Sequence, residues 1–197
     1  MSMRDHFFSV TSIEPIRTCI ASGDRAVVEG VIKSYLRGDL DYEDEDEDDP
    51  EFREAVEEMI TCVSPPKKEP GCWIHVLEHL AQYLELSPDF DLPFNEGWKH
   101  SHVWPPYRKL VKRHISRQSR KSLGYLDDGR PFRGRGIDYD GCVFSWLSAD
   151  EVKELSNSLS NVDASVITDP DLIDFHETLT ESLQIVAGQS RDLIAGA

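Results

Sequence analysis

Apolar positions along the chain recur mostly at the three-to-four-residue spacing of a helix, interrupted by short runs of aromatic and β-branched residues. His6 to Val10 is such a run and predicts a strand, after which Thr11 or Ser12 caps a helix with Pro15 in its first turn. Ser22-Gly23-Asp24 ends it. Asp24 caps a second helix in which Val27, Val28, Ile32, Tyr35 and Leu36 share a face up to Gly38. Two further helices are expected at Pro50 to Val63 and Cys72 to Leu86, separated by Pro65-Pro66 and Pro70-Gly71, where the backbone cannot continue a helix. Residues 87–106, with Pro88, Pro93, Pro105 and Pro106, read as a long irregular connection that Phe90, Phe94, Trp98 and Trp104 wrap onto the domain.

The spacing next predicts a strongly basic helix at Tyr107 to Lys121, then strands at Ser122 to Leu126 and Gly141 to Trp146 with a glycine- and arginine-rich turn between them. Ser148-Ala149-Asp150-Glu151 is a capping box, and Val152, Leu155 and Leu159 supply the buried face of the helix it opens. Asp169-Pro170 starts a C-terminal helix over residues 169–194, with Leu172, Phe175, His176, Leu179, Leu183 and Val186 on one stripe. The elements assemble into an α+β fold, mostly helical, in which a small antiparallel sheet is covered by five to six helices.

Composition supports one packed domain over residues 1–197, since 39 % of the chain is hydrophobic and 9 % aromatic. No stretch is apolar for the roughly 18 residues a membrane span needs, and Met1 to Phe8 holds no apolar block of signal-peptide length, so a cytoplasmic location is expected. Cys19, Cys62, Cys72 and Cys142 form no Cys-x-x-Cys pair and are expected to stay reduced.

Charge adds an asymmetry that the hydrophobic pattern does not show. The net charge is −16, yet residues 101–149 hold ten Lys/Arg against four Asp/Glu, while residues 150–197 hold two against ten. From Asp39 to Glu51 ten of thirteen residues are carboxylates, which predicts an acidic loop or spacer. Such a field opposes a polyanion, so a basic protein is expected as the partner rather than nucleic acid.

Three stretches could carry chemistry. His75-Val76-Leu77-Glu78-His79 matches the H-x-x-E-H arrangement of inverted zinc proteases, in which two imidazoles one turn apart bind the metal and the carboxylate acts on its water. On a helical wheel, Trp73, Val76, Leu77, Leu80, Tyr83 and Leu84 form the apolar arc, which leaves His75, Glu78 and His79 on the opposite side. In extended backbone, Trp98, His100, His102 and Trp104 would also share one side, so His75, His79, His100 and His102 become candidate zinc ligands, with Glu78 as the base and Glu151 or Glu154 as a further ligand. The plain alternative is a solvated helix face beside two tryptophan packing anchors.

The basic helix places Arg108, Lys109, Lys112, Arg113, Arg117 and Arg120 on one arc, suited to an anion, to an acidic surface of the same molecule, or to solvent alone. After it, Asp127-Asp128-Gly129 turns the chain, and Arg130, Arg133 and Arg135 on a flexible backbone could hold a carboxylate or phosphate, although a structural hairpin serves equally.

The segment Gly141 to Leu155, a glycine-led strand ending in Trp146-Leu147-Ser148 and entering a helix with Glu151-Val152, resembles a group of bacterial domains of unknown function. Ser22-Gly23-Asp24 after a strand and a helix is similar to that group as well. The resemblance implies no activity and transfers no functional residue. The expectation from the sequence is a non-enzymatic interaction or regulatory domain of the immunity type, requiring no cofactor and facing a basic partner; the alternative is a zinc-dependent hydrolase built on the histidines.

Overall fold

The computed structural model describes residues 6–37, 50–61, 73–96, 100–132 and 144–196, apart from the side chains of Glu96, His100, Ser101 and Ala164. The described residues hold eight α-helices, more than the five to six expected, and about two-thirds of them are helical around a three-stranded antiparallel sheet. The acidic stretch 39–49, Cys62, Cys72, Cys142, Trp98, Arg133 and Arg135 lie outside the described residues.

The strands are β1 (His6–Val10), β2 (Phe144–Leu147) and β3 (Asp192–Gly196), in the order β1-β3-β2. β3 lies in the middle, with His6 opposite Gly196 on one side and Phe144 opposite the same glycine on the other. Alternation along the strands sends Phe8, Val10, Phe144, Trp146 and Ile194 to one face, and Phe7, Leu147, Leu193 and Ala195 to the other. Each face is covered by helices. The first is packed by α1 (Glu14–Cys19), α2 (Arg25–Leu36), α3 (Pro50–Thr61) and α4 (Trp73–Tyr83). The second is packed by α5 (His100–Val111), α6 (Arg117–Asp128), α7 (Ala149–Ser160) and α8 (Pro170–Gly188).

Neither edge of the sheet is open. Ser9 of β1 exchanges backbone hydrogen bonds with Asp89, and the Asn95 side chain accepts from the Phe7 amide at 2.7 Å while donating to the Phe7 carbonyl at 2.7 Å. At β2 the Arg130 amide donates to the Phe144 carbonyl at 2.9 Å. These contacts satisfy groups that an edge strand would otherwise offer to another chain.

Several boundaries follow the sequence signals. The Asp24 side chain accepts from the Ala26 amide, Asp169 accepts from that of Asp171, and the Ser148–Glu151 capping box is formed in both directions. Helix α1 differs, since its N-cap is Ile13 rather than Thr11 or Ser12; the Ile13 amide donates to the Asp192 carboxylate instead.

Three expectations are corrected. Ser122 to Leu126 is not a strand but part of α6, because Ser116 caps that helix and Ser119, Ser122, Leu123 and Leu126 then bury a face at helical spacing. Residues 100–106 are not an irregular connection: α5 runs through Pro105 and Pro106, held by Val103, Trp104, Tyr107 and Val111, which are buried on one side. Upstream, the connection contains a 3-10 turn at Pro93–Glu96. The C-terminal helix stops at Gly188 rather than 194; Ser190 takes a φ of 54°, and the apolar Leu193, Ile194 and Ala195 turn back as β3.

Candidate functional site

Helix α4 does not present its polar residues to solvent as the wheel suggested. Glu78 and His79 are both fully buried, whereas the His75 side chain is about half-exposed. His79 packs edge-on against the stacked rings of Tyr35 and Phe52, with centroids 5.3 Å from each, as a member of the aromatic core. The Glu78 carboxylate lies between two imidazoles: Nε2 of His6 is 2.6 Å from Oε1, and Nδ1 of His75 is 3.0 Å from Oε2. His6 belongs to β1, which packs in the same core cluster as α4, so its pairing with Glu78 is one that a wheel of one helix cannot contain.

The second histidine pair lies on α5, not on a strand. His102 is exposed there, and positions 100 and 102 of a helix diverge by about 200° instead of sharing a side. His75, His79 and His102 are thus not brought together, and the side chain of His100 lies outside the described residues. Among the described residues no group of three or more His, Cys, Asp or Glu side chains is arranged to hold a metal ion. Glu151 and Glu154 are engaged elsewhere: Glu151 by Ser148 and Arg130, and Glu154 by the Ser116 hydroxyl at 2.8 Å.

Arg130 is a structural arginine. Its guanidinium lies 3.4 Å from the Trp146 ring centroid and 4.4 Å from that of Tyr125, and Nη1 donates to Glu151 at 2.6 Å and to the Trp146 carbonyl at 3.2 Å. Burial by itself would raise the Glu151 pKa, but the Ser148 amide and the Arg130 charge outweigh it and hold the carboxyl below its ordinary value. This cluster joins α6, β2 and α7, which occupies the side chain that the sequence offered as an anion ligand.

The basic arc is divided between two helices, α5 and α6, that face each other across an open cleft of about 530 Å³. Pro105, Arg108, Lys109 and Lys112 line one side, and Arg120, Leu123, Asp127 and Asp128 the other. Arg108 crosses between them to pair with Asp127 and, at 2.8 Å, with Asp128. The Asp128 hydrogen bond, then that of Asp127, raises the guanidinium pKa against the opposing effect of burial, so this charge is fixed in place. Gly124 makes room for it, since a Cβ there would stand 3.2 Å from Arg108 Nη2. Lys109, Lys112 and Arg120 are exposed and make no ion pair with any described residue.

A contact that the sequence did not reveal lies behind α5. The phenol of Tyr107, fully buried, is 2.6 Å from Nδ1 of His176 on α8. Burial raises the Tyr107 pKa and lowers that of His176, the latter against the influence of Glu177, so a neutral phenol and a neutral imidazole share this hydrogen bond. Only the shared stripe of His176 with Phe175 and Leu179 hinted at this inward position.

The chain matches no family model, no curated protein and no solved structure.

Proposed function

We propose that this protein is a non-enzymatic interaction domain of the immunity type, acting in the cytoplasm on a basic protein partner. The observation that carries the proposal is α8. This helix contains no Lys or Arg, and Asp171, Asp174, Glu177 and Glu181 are all exposed along it without an ion pair to any described residue. Its other side is anchored by Phe175, Leu179, Leu183 and Val186, each fully buried, so the carboxylates project from a fixed backbone. Preplaced charge of one sign steers a partner of the other and fixes its register.

Affinity capture from native lysate at low and high salt tests the proposal when it is run in parallel with the triple variant Asp174→Lys, Glu177→Lys, Glu181→Lys. A basic protein retained at low salt, released at high salt and absent with the variant is the expected result. Recovery of no partner at either salt, or equal recovery by the variant, refutes the reading.

A further inference from the structure

The cleft between α5 and α6 is separate from the acidic face of α8 and has the opposite sign. We infer that it is a binding site for a phosphoryl-bearing anion, held by Lys109, Lys112 and Arg120.

The inference rests on how the charges are arranged. Four cationic side chains line the cleft, and only Arg108 is neutralised within the described residues, by Asp127 and Asp128. The remaining three come from facing helices, Lys109 and Lys112 one turn apart on the α5 side and Arg120 on α6, so they surround the space instead of lining up along one solvated ridge. Packing like charges around a concavity costs repulsion in the empty state, and an anion relieves it. The fixed Arg108 contributes differently: its pairing with both aspartates bridges α5 to α6, and Gly124, in the middle of α6, leaves space beside the guanidinium, where a Cβ would stand 3.2 Å from Nη2. Fully buried Leu123 forms an apolar floor.

A multiply charged phosphoryl group fits this set better than a single carboxylate. Two ammonium groups act as point charges toward oxygens in several directions, and the Arg120 fork supplies paired donors. The net charge of −16 and the two aspartates in the cleft act against long polyanions, which selects a compact ligand over a nucleic-acid strand.

The test uses inorganic pyrophosphate as the probe on the full chain, with amide chemical shifts and calorimetry recorded at constant ionic strength. Two double variants remove the same charge: Lys112→Gln with Arg120→Gln inside the cleft, and Arg113→Gln with Arg117→Gln outside it. The expected result is saturable binding with shifts confined to α5 and α6, weakened at least tenfold in the first variant and within twofold of the parent in the second. Thermal melts confirm that both variants are folded, and Lys109→Gln alone provides the same test should the cleft double variant be unstable. Absence of saturable pyrophosphate binding overturns the inference, as does equal weakening by both double variants, which would identify general attraction to basic surface. Comparison of sulfate with a phosphoserine peptide then separates a free anion from a modified side chain as the source of the group.

Discussion

At the scale of single residues, the side chains with the most chemistry in the sequence serve mainly to hold elements together. His79 fills an aromatic pocket, Arg130 is stacked and paired, and Glu78 joins β1 to α4 through His6 and to its own helix through His75. Only the His75–Glu78 contact, three residues apart on one helix, lay within reach of spacing; His6, Tyr35 and Phe52, and the Trp146 and Glu151 that hold Arg130, come from other elements of the chain. The Tyr107–His176 contact has a consequence for pH. The folded state lowers the His176 pKa, so the unfolded chain binds a proton first on acidification. The stability that the neutral imidazole supports is complete above about pH 6.5, the ordinary imidazole value, and is lost as pH falls from there through the lower folded value. His176→Gln should therefore show a shallower loss of stability between pH 7 and 5 than the parent in urea melts. Tyr107→Phe should cost about 1 kcal/mol at pH 7.5, the usual worth of one buried hydrogen bond. Identical pH profiles for parent and His176→Gln would show that this imidazole does not titrate on unfolding.

At the scale of elements, three helices opened by a side-chain cap were readable from the cap, and a fourth, α6, was not. Asp24, Ser148 and Asp169 mark their helices because the cap is local. The split of the basic stretch into α5 and α6 was hidden, since the cap at Ser116 looks like one more polar residue in a basic run. Strand β3 was missed because Leu193 and Ile194 continue the apolar content of α8 and are distinguished from it only by the turn at Gln189 and Ser190. Asp192, at the start of β3, accepts from the Ile13 amide through one oxygen and from the Ala149 amide through the other, both at 2.7 Å. One carboxylate thus serves the beginnings of two helices, α1 and α7, on a strand between them. Asp192→Ala should cost about 3 kcal/mol, given roughly 1.5–3 kcal/mol for each hydrogen bond to a charged group, and Asp192→Asn about half as much, because one acceptor remains. A shift in the denaturation midpoint equivalent to less than about 0.5 kcal/mol for the alanine variant would contradict this.

At the scale of the whole molecule, the α+β class was evident from the alternation of helical periods with short apolar runs, whereas the sandwiching of the sheet between two helical layers was not. Phe7 and Phe8 are adjacent and both buried, a signature of a strand covered on both sides, but five residues of sequence do not tell which helices cover each face. The charge asymmetry predicted from the sequence is present as the basic α5–α6 pair, but its suggested internal neutralisation extends only to Arg108 among the described residues. Arg113 and Arg117 are exposed and make no such pair, and Arg117 occupies the first turn of α6, where the helix dipole disfavours a cation. The double change Arg113→Glu, Arg117→Glu should accordingly leave the melting temperature level or raise it at low salt, with the difference shrinking in high salt. A clear fall at low salt would reveal an acidic surface against these residues.

The central place of β3 also governs when the protein becomes whole. Among the described residues β1 and β2 do not pair with each other; each pairs with a strand that is translated after both, and the contact of His6 with Gly196 closes all the residues between them into one loop. On the ribosome the two helical layers can therefore begin to gather around Phe8 and Leu147 early, yet the hydrogen-bond ladder that unites them forms only once residues 192–196 have emerged, after every helix of both layers has been made.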